Sequence, residues 1–242
     1  MGEPWIEDMA WDEVRDRLAA GAVVVIPLGA AAKEHGRHLP LGTDALVARE
    51  LAARVAARLP VLVAPVLGLG HYPAFTAYAG SQSLAAETFI RVVAEVAGGL
   101  AAQGARRLAV INTGVSTEVP LRAAAARVAG DHGVPLHILD LRRMGRDADA
   151  LLDHPGGGHA DERETSVMLA VDPSRVRLGR LTGQEGDDDR PGPLDPAHNP
   201  TGVIGFPAAA AAAKGRAILA AVTDDLVAGL TAAFPDLAVK NS

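Results

Sequence analysis

Apolar and polar positions along the chain follow two different periods. Short β-branched runs predict strands over 22–26, 61–66, 107–111 and 134–139, the last ending at Asp140. Between them, apolar residues recur at helical spacing and predict helices over 9–20, 44–59, 84–103, 117–130 and 160–171. A last helix runs from the alanines at 208–213 to near Phe234. The first helix is expected to bury Met9, Trp11, Val14 and Leu18; the second, capped by Thr43, to bury Leu46, Val47, Leu51 and Val55. Strands alternating with helices predict an α/β fold with a mostly parallel sheet. No linker divides the chain, so 1–242 is read as one domain. Residues 183–200, rich in acids, Gly and Pro, are expected as a solvated loop, and 236–242 as a frayed tail.

Composition narrows the function classes. The 242 residues are 49% hydrophobic and long enough for a sizeable core. The net charge is −6 and no Lys/Arg block stands out, which argues against nucleic acid and against an anionic membrane surface as partners. The chain has no cysteine, so a metal must be held by His, Asp and Glu. The acidic N-terminus lacks an apolar signal core and no apolar run spans a bilayer, so a cytoplasmic protein is expected. Only three lysines occur, and one of them, Lys33, sits inside the densest polar stretch.

That stretch is IPLGAAAKEHGRHLPLGTD at 26–44, at the exit of the first strand, where open α/β sheets place their sites. His35 and Asp44 form an N/O donor pair suited to Zn²⁺, Mn²⁺ or Fe²⁺, with Glu34 and His38 as further candidates. The alternatives are an Asp44 that serves the helix dipole and a His38 that hydrogen-bonds its loop. A second stretch, HADERETSVMLAV at 159–171, places Glu164 on the face of Val167, Met168 and Val171, so Glu164 is expected to be buried. His159, preceded by three glycines, suits acid/base work; a capping histidine and a backbone-bonded carboxylate are the alternative. Residues 67–83 concentrate His71, Tyr72, Phe75 and Tyr78 in a chain with eight Phe, Trp and Tyr, which points to a structured pocket wall or subunit contact. His71, His132, His137, His154 and His198 are read as structural or exposed. Ser116 with His35 and Asp44 would make a hydrolase triad, but no G-x-S-x-G turn supports it.

The stretches at 27–44 and 159–171, and more weakly TGVIGFPAAA at 201–210, resemble the creatininase family of metal-dependent amidohydrolases. The resemblance implies a three-layer α/β/α fold with a mostly parallel central sheet, a homo-oligomer (hexamers are frequent), and a site with two divalent metals that cleaves amide-type C–N bonds in small, often cyclic substrates. Carried over by position, His35 is a ligand, Asp44 bridges both metals, His159 is the catalytic histidine and Glu164 the buried glutamate of H-A-x-E-x-E-T-S. Two departures stand out. The family's E-x-H-G reads Lys33-Glu34-His35-Gly36 here, with one extra residue in the loop. Either Glu34 reaches the metal, or the Lys33 ammonium stands where a cation would. The family's N-G-H-G-G-N reads Asn112-Thr113-Gly114-Val115-Ser116-Thr117, so a ligand histidine becomes Gly114 unless His38, His71 or Glu118 compensates. The expected enzyme is an amidohydrolase with one or two Zn²⁺, Mn²⁺ or Fe²⁺ ions on Glu34, His35, Asp44 and Glu164, with His159 as proton donor. A metal-free binder of a small metabolite, or a lyase or isomerase using Lys33, is the alternative.

Overall fold

The computed structural model describes residues 3–155, 158–181 and 195–240. Four strands, β1 (Val23–Leu28), β2 (Val61–Val63), β3 (Leu108–Asn112) and β4 (Leu136–Asp140), form one parallel sheet in the order β2-β1-β3-β4. Among the described residues, six α-helices accompany it: α1 (Trp11–Ala19), α2 (Thr43–Arg58), α3 (Ala86–Ala102), α4 (Glu118–His132), α5 (Glu162–Val171) and α6 (Ala212–Ala233). All residues of β1 and β3 are buried, as continuous apolar runs in a sheet covered on both faces must be.

The sheet faces two cores. Val24, Ile26 and Leu28 of β1 pack with Leu18 of α1, Phe89 and Val93 of α3, and Leu121 and Val128 of α4. Val23 and Val25 point the other way, to Leu51 and Val55 of α2, Met168 of α5 and Ile218, Val222 and Leu226 of α6. The alternation follows from the two-residue period of a strand. The result is the three-layer α/β/α arrangement expected, with α1, α3 and α4 on one face and α2, α5 and α6 on the other. Among the described residues, no helix is long and apolar enough to cross a membrane.

Three local expectations differ. Trp11 is 76% exposed with Arg15 over its ring at 5.2 Å; only Leu18 of α1 is buried. Thr43 is the first residue of α2 rather than its cap, and its hydroxyl donates to the Pro40 carbonyl at 2.7 Å. At the C-terminus Leu237 is buried and the Lys240 N–H donates to the Arg58 carbonyl at 2.8 Å, which ties residues 236–240 to the end of α2. Of the loop expected over 183–200, residues 183–194 lie outside the described residues.

Candidate active site

In the sheet register Leu28 lies beside Asn112, and Asn112 beside Asp140, so the β1 and β3 exit loops open at one edge. The loop after β1 is pinned where it turns. The Lys33 N–H donates to the Leu41 carbonyl at 2.9 Å, and the Glu34 N–H to Ser81 Oγ at 2.9 Å. This turn drives the Lys33 side chain inward. Its Nζ lies 2.8 Å from Asp44 Oδ2, with Lys33 and Asp44 only 6% and 5% exposed. The ammonium also sits 4.8 Å from the centroid of Phe75 and 5.7 Å from that of Tyr72. Burial alone would raise the Asp44 carboxyl, but Lys33 and then His35 outweigh it and hold the group well below the usual carboxylate range.

His35 occupies the other oxygen of Asp44. Its Nδ1 faces the Lys33 carbonyl oxygen at 3.0 Å, so that nitrogen carries a hydrogen. Its Nε2 faces Asp44 Oδ1 at 3.0 Å. A lone pair and a carboxylate oxygen at that separation need a positive charge beside them, either a second ring proton or a metal ion. The spacing also suits two atoms that share one ion, each about 2.1 Å from it.

Glu34 takes a different direction. Its carboxylate points to His159, not to Asp44. His159 Nε2 lies 2.9 Å from both Glu34 Oε2 and the Glu34 carbonyl oxygen. The Gly36 N–H donates to Glu34 Oε1. Gly202, at φ +71°, makes room for this carboxylate, because a Cβ at 202 would fall onto it. The 201–205 segment also holds His159 by backbone: His159 N–H donates to Ile204 O at 3.1 Å, and Ile204 N–H returns a bond at 2.8 Å. Since the Glu34 carbonyl can only accept, His159 Nε2 carries the hydrogen and Nδ1 is left facing Glu164 Oε2 at 3.7 Å.

Glu164 is not the buried acid of its helix. The helix begins at Glu162 rather than 160, with Asp161 as its cap. Asp161 Oδ1 accepts the Glu164 N–H at 2.9 Å, and Glu164 Oε2 accepts the Ala160 N–H at 2.6 Å, a reciprocal capping box. Glu164 therefore stands at the edge, its side chain 35% exposed. The fully buried acid is Glu162, which accepts from Lys214 Nζ at 2.5 Å and from the N–H groups of Asp153 and His154 at 3.1 and 2.8 Å. Burial opposes ionisation of Glu164, but His159, His35 and Lys33 outweigh it and lower its carboxyl. Asp161 moves the other way: burial first, then the Glu164 charge, push it up to about 7.

The other candidates have structural duties. His38, fully buried, bonds Thr165 Oγ1 at 2.8 Å through Nε2. His71 bonds the Leu84 carbonyl oxygen at 2.9 Å. Ser116 donates to the His71 carbonyl oxygen at 2.8 Å, and Glu118 pairs with Arg122 and Arg143 at the start of α4. Asn112 braces the β3 exit by bonds to Gly114, Thr117 and Asp140. At Gly114, a Cβ would lie 3.1 Å from Tyr72 Cε1 and 2.9 Å from Thr117 Oγ1, so the tyrosine ring fills that space. The Tyr72 hydroxyl is buried without a hydrogen-bond partner, and burial and then the Asp44 charge keep it protonated. Sequence reasoning placed Tyr72 and Phe75 only in a wall of unstated purpose and missed the Glu162–Lys214 pair.

A cavity of about 390 Å³ opens beside these groups, lined by Asp44, Asp161 and Glu164 together with Arg142, Arg146 and apolar residues of α2 and α6. Among the described residues, His35, His159 and Glu164 offer ligand atoms all within 4.8 Å of one another. Nitrogen and carboxylate donors in that number fit one Zn²⁺, Mn²⁺ or Fe²⁺ ion. Asp44 Oδ1 lies outside that group but faces its His35 Nε2 at 3.0 Å.

Residues 7–230 match the family model for creatinine amidohydrolase. The chain is 36% identical over 225 residues to the mycofactocin precursor peptide peptidase of Mycobacterium tuberculosis (strain H37Rv), covering 84% of this chain and 82% of that protein. It is 28% identical over 260 residues to the creatinine amidohydrolase of Pseudomonas putida, covering 96% and 97%. Two solved structures superpose closely. A manganese creatininase has a TM-score of 0.87 at 26% identity, and a mutant creatininase of Zn-Zn type has 0.88 at 25%. In both cases 97% of this chain and 100% of the other are covered.

Proposed function

The chain belongs to the creatininase family of metal-dependent amide hydrolases, and on that premise we propose that it cleaves an amide-type C–N bond in a small substrate held in the cavity beside Asp44 and Glu164. The observation that supports this reading is the Glu34–His159 pair set against the clustered donors of His35, His159 and Glu164. His35 and Glu164 would hold one divalent ion, with Asp44 Oδ1 beside His35 Nε2. Such an ion, when bound, polarises a carbonyl and acidifies water.

The chain's own residues supply the rest. Glu34 fixes the His159 tautomer by accepting from Nε2, which makes Nδ1 the atom that takes up a proton and delivers it to the leaving nitrogen. Glu164 Oε2 faces Nδ1 at 3.7 Å. Phe75, 4.6 Å from the His159 ring centroid to centroid, keeps bulk water from that side. Arg142 and Arg146 at the cavity suit a carboxylate on the substrate. The relatives named for a precursor peptide and for creatinine direct the choice of probes, since both molecules carry an amide-type bond.

The test is ring opening of creatinine to its single acid product, and amine release from a panel of short peptides, in H₂¹⁸O. One solvent oxygen in the acid product is expected, with loss of turnover in chelator. His159→Ala is expected to slow turnover about 10²-fold or more. Absence of cleavage across the panel, or full activity of His159→Ala, overturns the reading. One observation favours a second reading, a metal-free binder: Asp44 already has a buried cation in Lys33. Turnover that survives chelation, or ligand binding without turnover, would select it.

A further inference from the structure

Asp44 divides its two carboxylate oxygens between two different partners. Oδ1 meets His35 Nε2 at 3.0 Å, and Oδ2 meets Lys33 Nζ at 2.8 Å. A carboxylate that bridges two metals uses its oxygens in the same way. Lys33 also stands at the sequence position where the family's first ligand is expected. Three further features fit an ammonium there. The rings of Phe75 and Tyr72 flank Nζ, and aromatic faces attract a desolvated cation. Gly114 replaces a ligand histidine, and the Tyr72 ring fills the volume its side chain would need. Glu34, the one acid near enough in sequence to take over, is bonded to His159 instead.

We propose that the Lys33 ammonium occupies the place of one divalent cation at Asp44, so that this chain carries one exchangeable ion fewer than a site whose carboxylate bridges two. Lys33 is then a positioning residue. It neutralises the far oxygen of Asp44 and holds the near oxygen ready for the ion beside His35. An ammonium and a second divalent ion cannot share that oxygen, because like charges at ligand distance repel strongly in a buried site.

The proposal concerns the site, not the reaction, so it stands or falls separately from amide hydrolysis. The experiment counts Zn²⁺ or Mn²⁺ per chain by mass spectrometry of the metal and by calorimetric titration, in the unsubstituted chain, Lys33→Glu and Lys33→Met. Lys33→Glu is expected to bind one ion more per chain than the unsubstituted protein and to gain a metal-dependent rise in Tm that the parent lacks. Lys33→Met, which removes charge but keeps length, is expected to melt lower in chelator and to recover with added ion by more than the parent gains. Two ions on the unsubstituted chain overturn the proposal. So does a folded Lys33→Glu that binds no more than the parent, or a Lys33→Met that metal does not rescue. An unsubstituted chain that binds none, with Lys33→Glu binding one, keeps the substitution and refutes the metal-dependent reading above.

Discussion

Lys33→Met in chelator isolates what the buried ammonium does for the fold. At 2.8 Å and an effective dielectric near 20, the attraction between Nζ and Asp44 amounts to about 6 kcal/mol before either group's desolvation is counted. Removing one partner of a buried pair costs about 3–5 kcal/mol. His35 stays 3.0 Å from the other oxygen, so the lower end, about 3 kcal/mol at pH 7, is expected. The pH dependence should then change sign. In the unsubstituted protein the Asp44 carboxyl is held below its unfolded value near 3.9, so its contribution is complete above that pH and lost on acidification. Without Lys33, burial is the largest single influence left and pushes the carboxyl upward, opposed only by His35. The folded variant then takes up a proton before the unfolded chain does. Its stability should rise as pH falls towards 4, by up to about 1.4 kcal/mol per pH unit. Urea unfolding at pH 7, 6 and 5 measures this. A loss under about 1 kcal/mol at pH 7, or a pH slope parallel to that of the parent, would refute the reasoning.

Three further outcomes are expected. Glu34→Ala frees the His159 ring and should lower kcat about tenfold or more with KM little changed, in steady-state assays on the cleaved amide; an unchanged kcat would remove Glu34 from the proton path. Tyr72→Phe deletes a buried hydroxyl without a partner and should raise stability by about 1 kcal/mol in urea titrations, whereas a clear loss would reveal a bond the hydroxyl makes. Asp161, pushed up to about 7, binds a proton on folding between pH 4 and 7, so its contribution falls as pH rises through that window. Asp161→Asn keeps a capping side chain and should flatten that part of the stability profile; an unaltered profile would argue against the raised carboxyl.

The layers were readable because parallel strands buried on both faces must be continuously apolar, and 23–28 and 108–112 are. Helix ends were readable to within a few residues. What escaped was whatever depended on distant partners. The choice between Glu162 and Glu164 as the inward acid is decided by Lys214, 52 residues away, and by where Asp161 starts the helix. The direction of Glu34 is decided by space at Gly202 and by His159, neither near it in sequence. The pair His35 and Asp44 was legible because a short loop and one helical turn bring them together. Trp11 misled because an amphipathic pattern does not distinguish an apolar ring that packs on the core from one that lies under an arginine at the surface.

A side chain joined to the backbone by carbon–carbon bonds cannot be chelated away. With Lys33 fixed against Asp44, part of the electrostatic equipment of the site is installed at translation and is independent of the supply of trace elements. Loading should then follow a simple hyperbola in free ion, without the cooperativity or stepwise filling open to two exchangeable sites that share a carboxylate. Under metal scarcity such a chain would lose its remaining ion but keep its architecture, and would be ready to reload from the first ion that reaches it.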